Sequence, residues 1–276
     1  MSVVHHEWPI IDAVAGACRR AVPRSFDDYD DPVPAAGEQA GCLIERERAL
    51  SAREIIRKRR SAIAMDARTA IGAEAFYRMM ARVCPRAGHP ILEVLPWRPW
   101  VSLALFVHRV EGLAPGVYLL VRDSRHEASL RAALRPGFRW EKPPGCPSGL
   151  PIHLLAEGDV RDPARIICCH QEIAADGVFA VGMLAAFDAA LETEGASFYP
   201  RLYWETGLIG QILYLEAEAA GIRATGIGCF FDDGMHDLLA IRNHAWQSLY
   251  HFTVGGALDD RRLQTLPAYW HLKRGA

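Results

Sequence analysis

Two neighbouring apolar runs, followed by two long helical patterns, constrain the fold of this chain most strongly. The runs at residues 100–110 (WVSLALFVHRV) and 116–123 (GVYLLVRD) are typical of strands, and the intervening EGLAPG is typical of a turn. We therefore predict two adjacent strands of one sheet. The segments 152–157 (IHLLAE) and 248–258 (SLYHFTVGGAL) predict a third strand and a last one.

Between the third strand and the last one lie the two helical patterns. The first covers residues 163–195 and is expected to break near Asp176 and Gly177. The second covers residues 199–221, where Gly221 stands at the position of a left-handed residue that ends a helix. Because strands and helices do not alternate regularly, the order favours an α+β fold with a small sheet over a doubly wound one.

Composition and charge exclude several classes of partner. The chain has 276 residues, of which 50% are hydrophobic, and its formal net charge is −2. This balance gives no general attraction to nucleic acid or to anionic membranes, and no apolar run approaches the roughly 20 residues of a membrane span. The start of the sequence does not resemble a secretory signal. We expect a cytoplasmic protein that binds neither nucleic acid nor membrane.

The seven cysteines are expected to be reduced thiols. Cys168 and Cys169 are adjacent, but no second cluster with metal-ligand spacing accompanies them. We predict buried structural thiols at this pair and no metal site.

The sequence divides near residue 50. Residues 1–50 are interpreted as an N-terminal helix, with an apolar stripe at residues 10–18, and an extended arm rich in Asp, Pro and Gly. Residues 51–276 are interpreted as the main domain. At its start, Ser51 and Glu54 have the spacing of a capping box.

Three short stretches could carry chemistry, and each has a structural alternative. Four consecutive cations, residues 57–60, stand directly before Ser61, which suits either a solvated helix end or a phosphate site. Gly226 and Gly228 bracket Ile227, so this segment either approaches a flat ligand or connects a helix to a strand. No strand is predicted before it. Gly207 and Gly210 share a helix face, where small residues permit helix packing or the approach of a ring.

Taken together, these stretches resemble the nitroreductase superfamily. RKRRSA resembles its Arg-Arg-Ser signature. The motif GLAPGVYLL, the segment ETGLIGQILYLEAEAAGIRATGIGCFFDD and the strand LYHFTVGG resemble the branch that oxidises azolines to thiazoles and oxazoles. The resemblance extends from about residue 50 to residue 260.

The resemblance implies a nitroreductase-like α+β fold, with an antiparallel-rich central sheet flanked by long helices, and a homodimer with FMN at the subunit interface. By position, the FMN phosphate and ribityl chain would be held by Arg59, Arg60 and Ser61, and the flavin ring would lie along Thr225, Gly226, Ile227 and Gly228. Tyr199 is the candidate acid/base, with Arg201 as a cationic neighbour that could lower its pKa. Glu205 could face the same pocket or pair with a basic residue.

The resulting hypothesis is an FMN-dependent oxidoreductase that transfers hydride through flavin N5 by a ping-pong mechanism, acting on a small molecule or a peptide. The alternative is a flavin-free scaffold or partner subunit in a peptide-modifying complex. Two departures from the family pattern favour the alternative: Ile63 replaces a basic residue, and residues 90–106 lack the segment that contacts the flavin ring.

Overall fold

A six-stranded antiparallel sheet forms the centre of the molecule in the computed structural model, which describes residues 7–20, 29, 51–86 and 88–275. A separate parallel pair of short strands is formed by β1 and β3. In chain order the strands are β1 (Ile71–Gly72), β2 (Val101–Val107), β3 (Val110–Glu111), β4 (Gly116–Leu120), β5 (Ile152–Glu157), β6 (Phe179–Ala185), β7 (Arg223–Ile227) and β8 (Gln247–Gly255). The order across the large sheet is β5-β4-β2-β6-β8-β7. The α+β class and the antiparallel sheet predicted from the sequence are confirmed.

Helices cover both faces of this sheet. In the described residues they are α1 (Pro9–Arg20), α2 (Ala52–Lys58), α3 (Ala73–Arg82), α4 (Glu127–Ala133), α5 (Arg161–Ile167), α6 (Ile173–Asp176), α7 (Phe187–Glu194), α8 (Tyr199–Ala219) and α9 (Asp232–Leu239). Of these, α8 is by far the longest, with 21 residues. Gly221 has the predicted left-handed conformation after it, with φ of 72°.

The sequence prediction was wrong for half of the first helical pattern. The chain breaks at Gly177 as expected, but it continues as strand β6 rather than as a second helix. Every residue of β6 is buried, because the strand lies between β2 and β8 at the middle of a sheet covered on both faces. A strand in that place is apolar throughout and shows no alternation, so its pattern resembles that of a buried helix.

Alternating residues of β8 show which helix covers which face. Phe252 packs against Gly210 of α8. Helix α3 lies on the same face of the sheet, where its Phe76 ring meets the Phe179 ring of β6 edge to face, with ring centres 5.3 Å apart. His251 points the other way, toward the face covered by α9. Because side chains alternate along a strand, these two neighbours must face opposite layers.

Several local predictions are confirmed at the level of hydrogen bonds. The Ser51 side chain accepts the Glu54 N–H at 3.3 Å, and the Glu54 carboxylate accepts the Ser51 N–H at 2.9 Å, so the capping box starts α2. The N-terminal helix is present as α1. Most of the arm that follows it lies outside the described residues.

Candidate functional site

The basic stretch and the glycine-rich stretch meet in space, although about 160 positions separate them in the sequence. After α2 ends at Lys58, with Arg59 as its C-cap, the chain runs parallel to β7, and Ser61 is bridged to Ala224. The Ala62 N–H donates to the Ala224 carbonyl at 3.0 Å, and the Thr225 hydroxyl donates to the Ala62 carbonyl at 2.5 Å. We call Arg59–Ser61 the basic corner.

The glycine-rich stretch is itself a strand, which corrects the interpretation that it only connects a helix to a strand. Residues 223–227 form the edge strand β7, paired with β8 along its length. The sequence RATGI conceals this strand, since glycine is depleted in strands and only one β-branched apolar residue is present. A methyl group at Gly226 would overlap the phenol oxygen of Tyr250. Close packing of that tyrosine therefore requires glycine at this position.

Tyr214 of α8 links the basic corner to β7. Its hydroxyl lies 2.9 Å from the Ser61 hydroxyl and accepts the Gly226 N–H at 3.0 Å. The Arg59 guanidinium lies 4.7 Å from the centre of the Tyr214 ring, as in a cation–π contact. The sequence interpretation missed this residue. Tyr214 follows Gly207 and Gly210 at helical spacing on one face of α8, and this spacing is the signal that could have identified it.

A positively charged cleft of about 920 Å³ opens beside the basic corner. Its wall carries more cations than acids. The ionisable residues on it are Arg57, Lys58, Arg60, Arg223, Arg261, Asp259 and Asp260. The Arg60 guanidinium donates to the Arg59 carbonyl at 2.8 Å and to the Leu266 carbonyl at 3.2 Å. Such a surface suits a phosphate or another compact anion.

The two glycines of α8 have different surroundings. A side chain at Gly210 would press on the Phe252 ring, so this glycine serves helix–sheet packing. Gly207 faces open space and lines a groove of about 220 Å³, together with Tyr203, Gln211 and Tyr214. The packing alternative therefore holds at Gly210, whereas the groove leaves room for a ligand beside Gly207.

Tyr199 lies at the far end of α8 from Tyr214, about 22 Å along the helix axis at 1.5 Å per residue. Its hydroxyl is 3.3 Å from that of Tyr203, and burial raises the pKa of the Tyr203 phenol well above its usual value. The Arg201 side chain donates to the Tyr29 hydroxyl at 2.9 Å and lies over the Trp97 ring.

Glu205 pairs with a basic residue, which was the second of the two roles predicted for it, and does not face the candidate site. The side chain is fully buried, and its carboxylate is paired with the guanidinium of Arg122. It also accepts the backbone N–H groups of Trp100 and Val101, at 3.0 and 3.2 Å. Burial raises the pKa of this carboxyl group, while the Arg122 charge opposes that rise. Glu205 therefore fixes the start of β2 against α8.

An FMN molecule fits one end of this region more readily than the other. The cations of the cleft match a phosphate, and the basic corner lies at its edge. At β7, in contrast, the Tyr214 hydroxyl already takes the Gly226 N–H, and Tyr250 covers the Gly226 face. A flavin ring could use that N–H only after Tyr214 moves.

Two further findings bear on the class of site. Within the described ranges, no group of three or more His, Cys, Asp or Glu side chains has the arrangement of a metal site. In the same part of the chain, no helix has the length and hydrophobicity needed to cross a bilayer.

Comparison with known proteins identifies the fold. The model of the nitroreductase family matches residues 153–256, which include β6 to β8, helix α8 and all of β5 except Ile152. Among solved structures, one chain from Anabaena variabilis, assigned as a nitroreductase, superimposes with a TM-score of 0.58 at 18% identity. That match covers 75% of this chain but only 38% of the other. No match was found among curated proteins.

Two other solved structures match over nearly the whole of their chains. A Ralstonia eutropha protein assigned as a nitroreductase has a TM-score of 0.53 at 13% identity, with 83% of this chain and 96% of the other covered. A chain of the E. coli microcin synthetase McbBCD complex, with truncated pro-MccB17 bound, has the same score and identity, with 91% and 93% covered. The chain therefore has the nitroreductase fold, and the predicted resemblance is confirmed.

Proposed function

We propose that this protein is an FMN-dependent oxidoreductase of the nitroreductase type. The observation that carries the proposal is the meeting of the basic corner with β7 at the edge of the cation-lined cleft. Two motifs that the family resemblance assigns to the two ends of one cofactor are thus adjacent in space, although they are far apart in sequence. The match of the nitroreductase family to residues 153–256 supports the same class.

In this proposal, the basic corner and the neighbouring cations hold the FMN phosphate and ribityl chain. The backbone of residues 225–228 lies along the ring, where N–H groups can donate to its polar edge. When bound, FMN supplies hydride chemistry at N5, and the electron donor leaves before the acceptor binds. The protein orients the reactants and excludes water from them. Tyr214 must leave its present contacts for the ring to reach Gly226.

We further propose a homodimer formed through the exposed face of α8. Tyr199, Tyr203 and Gly207 follow at intervals of four residues on that face, and the Trp204 side chain beside them is 53% exposed. Tyr199 is too far from Tyr214 to serve the basic corner of its own chain, so we assign its acid/base role to the site of a second copy. The substrate is proposed to be a small molecule or a peptide.

The dimer is tested by light scattering after size-exclusion chromatography. Trp204→Glu places a charge on the proposed interface and is expected to yield monomers with reduced flavin content. Arg242→Glu changes an exposed residue near the end of α9 and is expected to leave the dimer intact. A wild-type monomer would rule out this interface.

A second candidate function is a flavin-free partner subunit in a peptide-modifying complex. The specific observation in its favour is Tyr214, whose hydroxyl accepts the Gly226 N–H and is hydrogen-bonded to the Ser61 hydroxyl. The similar fold in the microcin synthetase complex is consistent with such a role. In this case the Tyr214 phenol permanently occupies the position that a flavin would otherwise take.

Absorbance of the purified protein separates the two candidates. A bound oxidised flavin gives absorbance bands at about 370 and 450 nm. We expect these bands in the wild type and in Arg242→Ala, the control, and their loss in the double variant Arg60→Ala/Ser61→Ala. Unchanged occupancy in the double variant would show that the phosphate lies elsewhere. A colourless wild type whose melting temperature does not rise with added FMN would favour the partner subunit.

A further inference from the structure

Two cysteines far apart in the sequence lie against each other beside the candidate site. The sulfur of Cys229, two residues beyond the end of β7, is 2.6 Å from the sulfur of Cys169, in the turn after α5. The separation is shorter than an ordinary contact between two thiols and longer than a disulfide bond, which is about 2.0 Å. Small side-chain movements alone would bring the two sulfurs to bonding distance.

The backbone holds the two segments together independently of the sulfurs. The Phe231 N–H donates to the Ile167 carbonyl at 2.7 Å, and the Gln171 side chain donates to the Cys229 carbonyl at 3.1 Å. These bonds lie on both sides of the pair. Two cross-links of this kind fix the separation of the two segments before any covalent bond forms.

The turn that carries Cys169 has an unusual conformation. Cys169 and His170 are both left-handed, with φ of 55° and 58°, although neither is glycine. Non-glycine residues rarely adopt this region, and such strain concentrates at functional positions. The left-handed turn directs Cys169 toward Cys229 instead of toward the core.

Accessibility distinguishes this pair from the neighbouring thiol. Cys229 is exposed and Cys169 is half-buried, whereas Cys168 is buried against His251. Burial raises the pKa of the Cys168 thiol to about 12, which keeps that thiol protonated and unreactive. The prediction of a buried thiol therefore holds for Cys168 but is wrong for Cys169, which is only half-buried and lies beside the exposed Cys229. The described residues around the pair also lack the ligand arrangement of a metal site.

We propose that Cys169 and Cys229 form a redox-active thiol pair that a small-molecule disulfide oxidises to an intramolecular disulfide. The exposed Cys229 thiolate attacks the small disulfide, forms a mixed disulfide and releases one small thiol. The Cys169 thiolate then attacks Cys229 and releases the second small thiol. The protein loses two electrons and two protons, and the small disulfide gains them.

The bond would tie the segment after β7 to the end of α5. Cys229 is three residues from Gly226, so the oxidation state of the pair sets how firmly one border of the candidate site is held. This inference does not rest on FMN binding, because its contacts involve neither the basic corner nor Tyr214.

The experiment uses the whole protein and oxidised glutathione as the probe. After incubation, the free thiols are alkylated under denaturing conditions and the protein is analysed by intact mass and peptide mapping. The expected product has lost two hydrogen masses, has two fewer alkylated thiols and contains a peptide linked between Cys169 and Cys229. The control Cys146→Ser, on a distant loop, should form the same link.

Three results in the wild type would overturn the proposal. They are Cys169 and Cys229 both remaining free after oxidation, a stable glutathione adduct at Cys229 without closure, and a link from Cys229 to Cys168. Cys169→Ser provides the internal check. It should retain a native circular dichroism spectrum and accumulate the glutathione adduct at Cys229, because the resolving thiol is absent. An intramolecular link in this variant would also refute the assignment.

Discussion

Replacing Tyr214 with phenylalanine should lower the stability of the ligand-free protein and increase its affinity for FMN. The substitution removes only the hydroxyl, which contacts Ser61 at 2.9 Å and the Gly226 N–H at 3.0 Å. The ring keeps its edge contact with Phe252 at 4.8 Å. Each lost hydrogen bond is worth about 1 kcal/mol, so the free energy of unfolding should fall by about 2 kcal/mol.

The effect on FMN has the opposite sign. In the wild type, a flavin ring that takes the Gly226 N–H must first break both hydrogen bonds of Tyr214, whereas in the variant these bonds are already absent. The same 2 kcal/mol then appears as tighter binding, about 30-fold in the dissociation constant. The assays are urea unfolding without ligand and quenching of FMN fluorescence on titration.

Tyr118→Phe is the matched control, because it removes a tyrosine hydroxyl that donates to the Ala114 carbonyl at 2.7 Å, on strand β4 and far from β7 in the order of the sheet. FMN affinity in this variant should stay within about twofold of the wild type. The reasoning would be refuted if Tyr214→Phe lost stability while its FMN affinity stayed equal or fell. That result would mean that Tyr214 does not compete with the ligand.

Three further predictions concern stability. Glu205→Gln should lower the free energy of unfolding in urea by about 3–5 kcal/mol, because it leaves the Arg122 charge buried without its charged partner. The double variant Glu205→Gln/Arg122→Met should regain most of this loss. Gly226→Ala should lower the thermal midpoint by forcing Tyr250 away, and an unchanged midpoint would contradict the packing described. The free energy of unfolding should also fall as the pH drops from about 6.5 to about 4. Three buried histidines have folded-state pKa values near 4, so the unfolded chain binds protons before the folded chain does. A urea midpoint that stays constant over this pH range would contradict the prediction. These histidines are His108, His126 and His251.

The parts of the fold that the sequence predicted are those with strong local signals. The capping box at Ser51, the turn between β2 and β4 and the left-handed Gly221 are each specified by residues close together in the chain. Helix α8 has enough length for its pattern to be unambiguous. In such segments, local preference and tertiary packing favour the same structure.

The two missed strands of the six-stranded sheet depend on contacts that are distant in sequence. β6 is apolar on both faces because neighbouring strands and helices enclose it, and its pattern cannot be distinguished from that of a buried helix. β7 contains a glycine and polar residues that disfavour a strand. It is held by pairing with β8 and by the segment around Ser61, and neither partner can be identified from the sequence of β7 alone.

The candidate site was predictable only in part, for the same reason. The basic corner and the glycine segment could be identified as short motifs, and the structure brings them together. Helical spacing could have placed Tyr214 on the same face of α8 as Gly207, but it could not have revealed the two hydrogen bonds, which reach segments about 150 residues upstream and 12 residues downstream. The Cys169–Cys229 contact likewise exists only after the chain has folded.

A comparison of FMN with riboflavin tests the central claim most directly, because the two ligands differ only in the phosphate assigned to the basic corner. One or two charge-assisted hydrogen bonds to a phosphate are worth about 1.5–3 kcal/mol each, so FMN should bind at least about tenfold more tightly. The preference should largely disappear in Arg60→Ala/Ser61→Ala. Equal affinity of the wild type for both flavins, or binding of neither, would contradict the account.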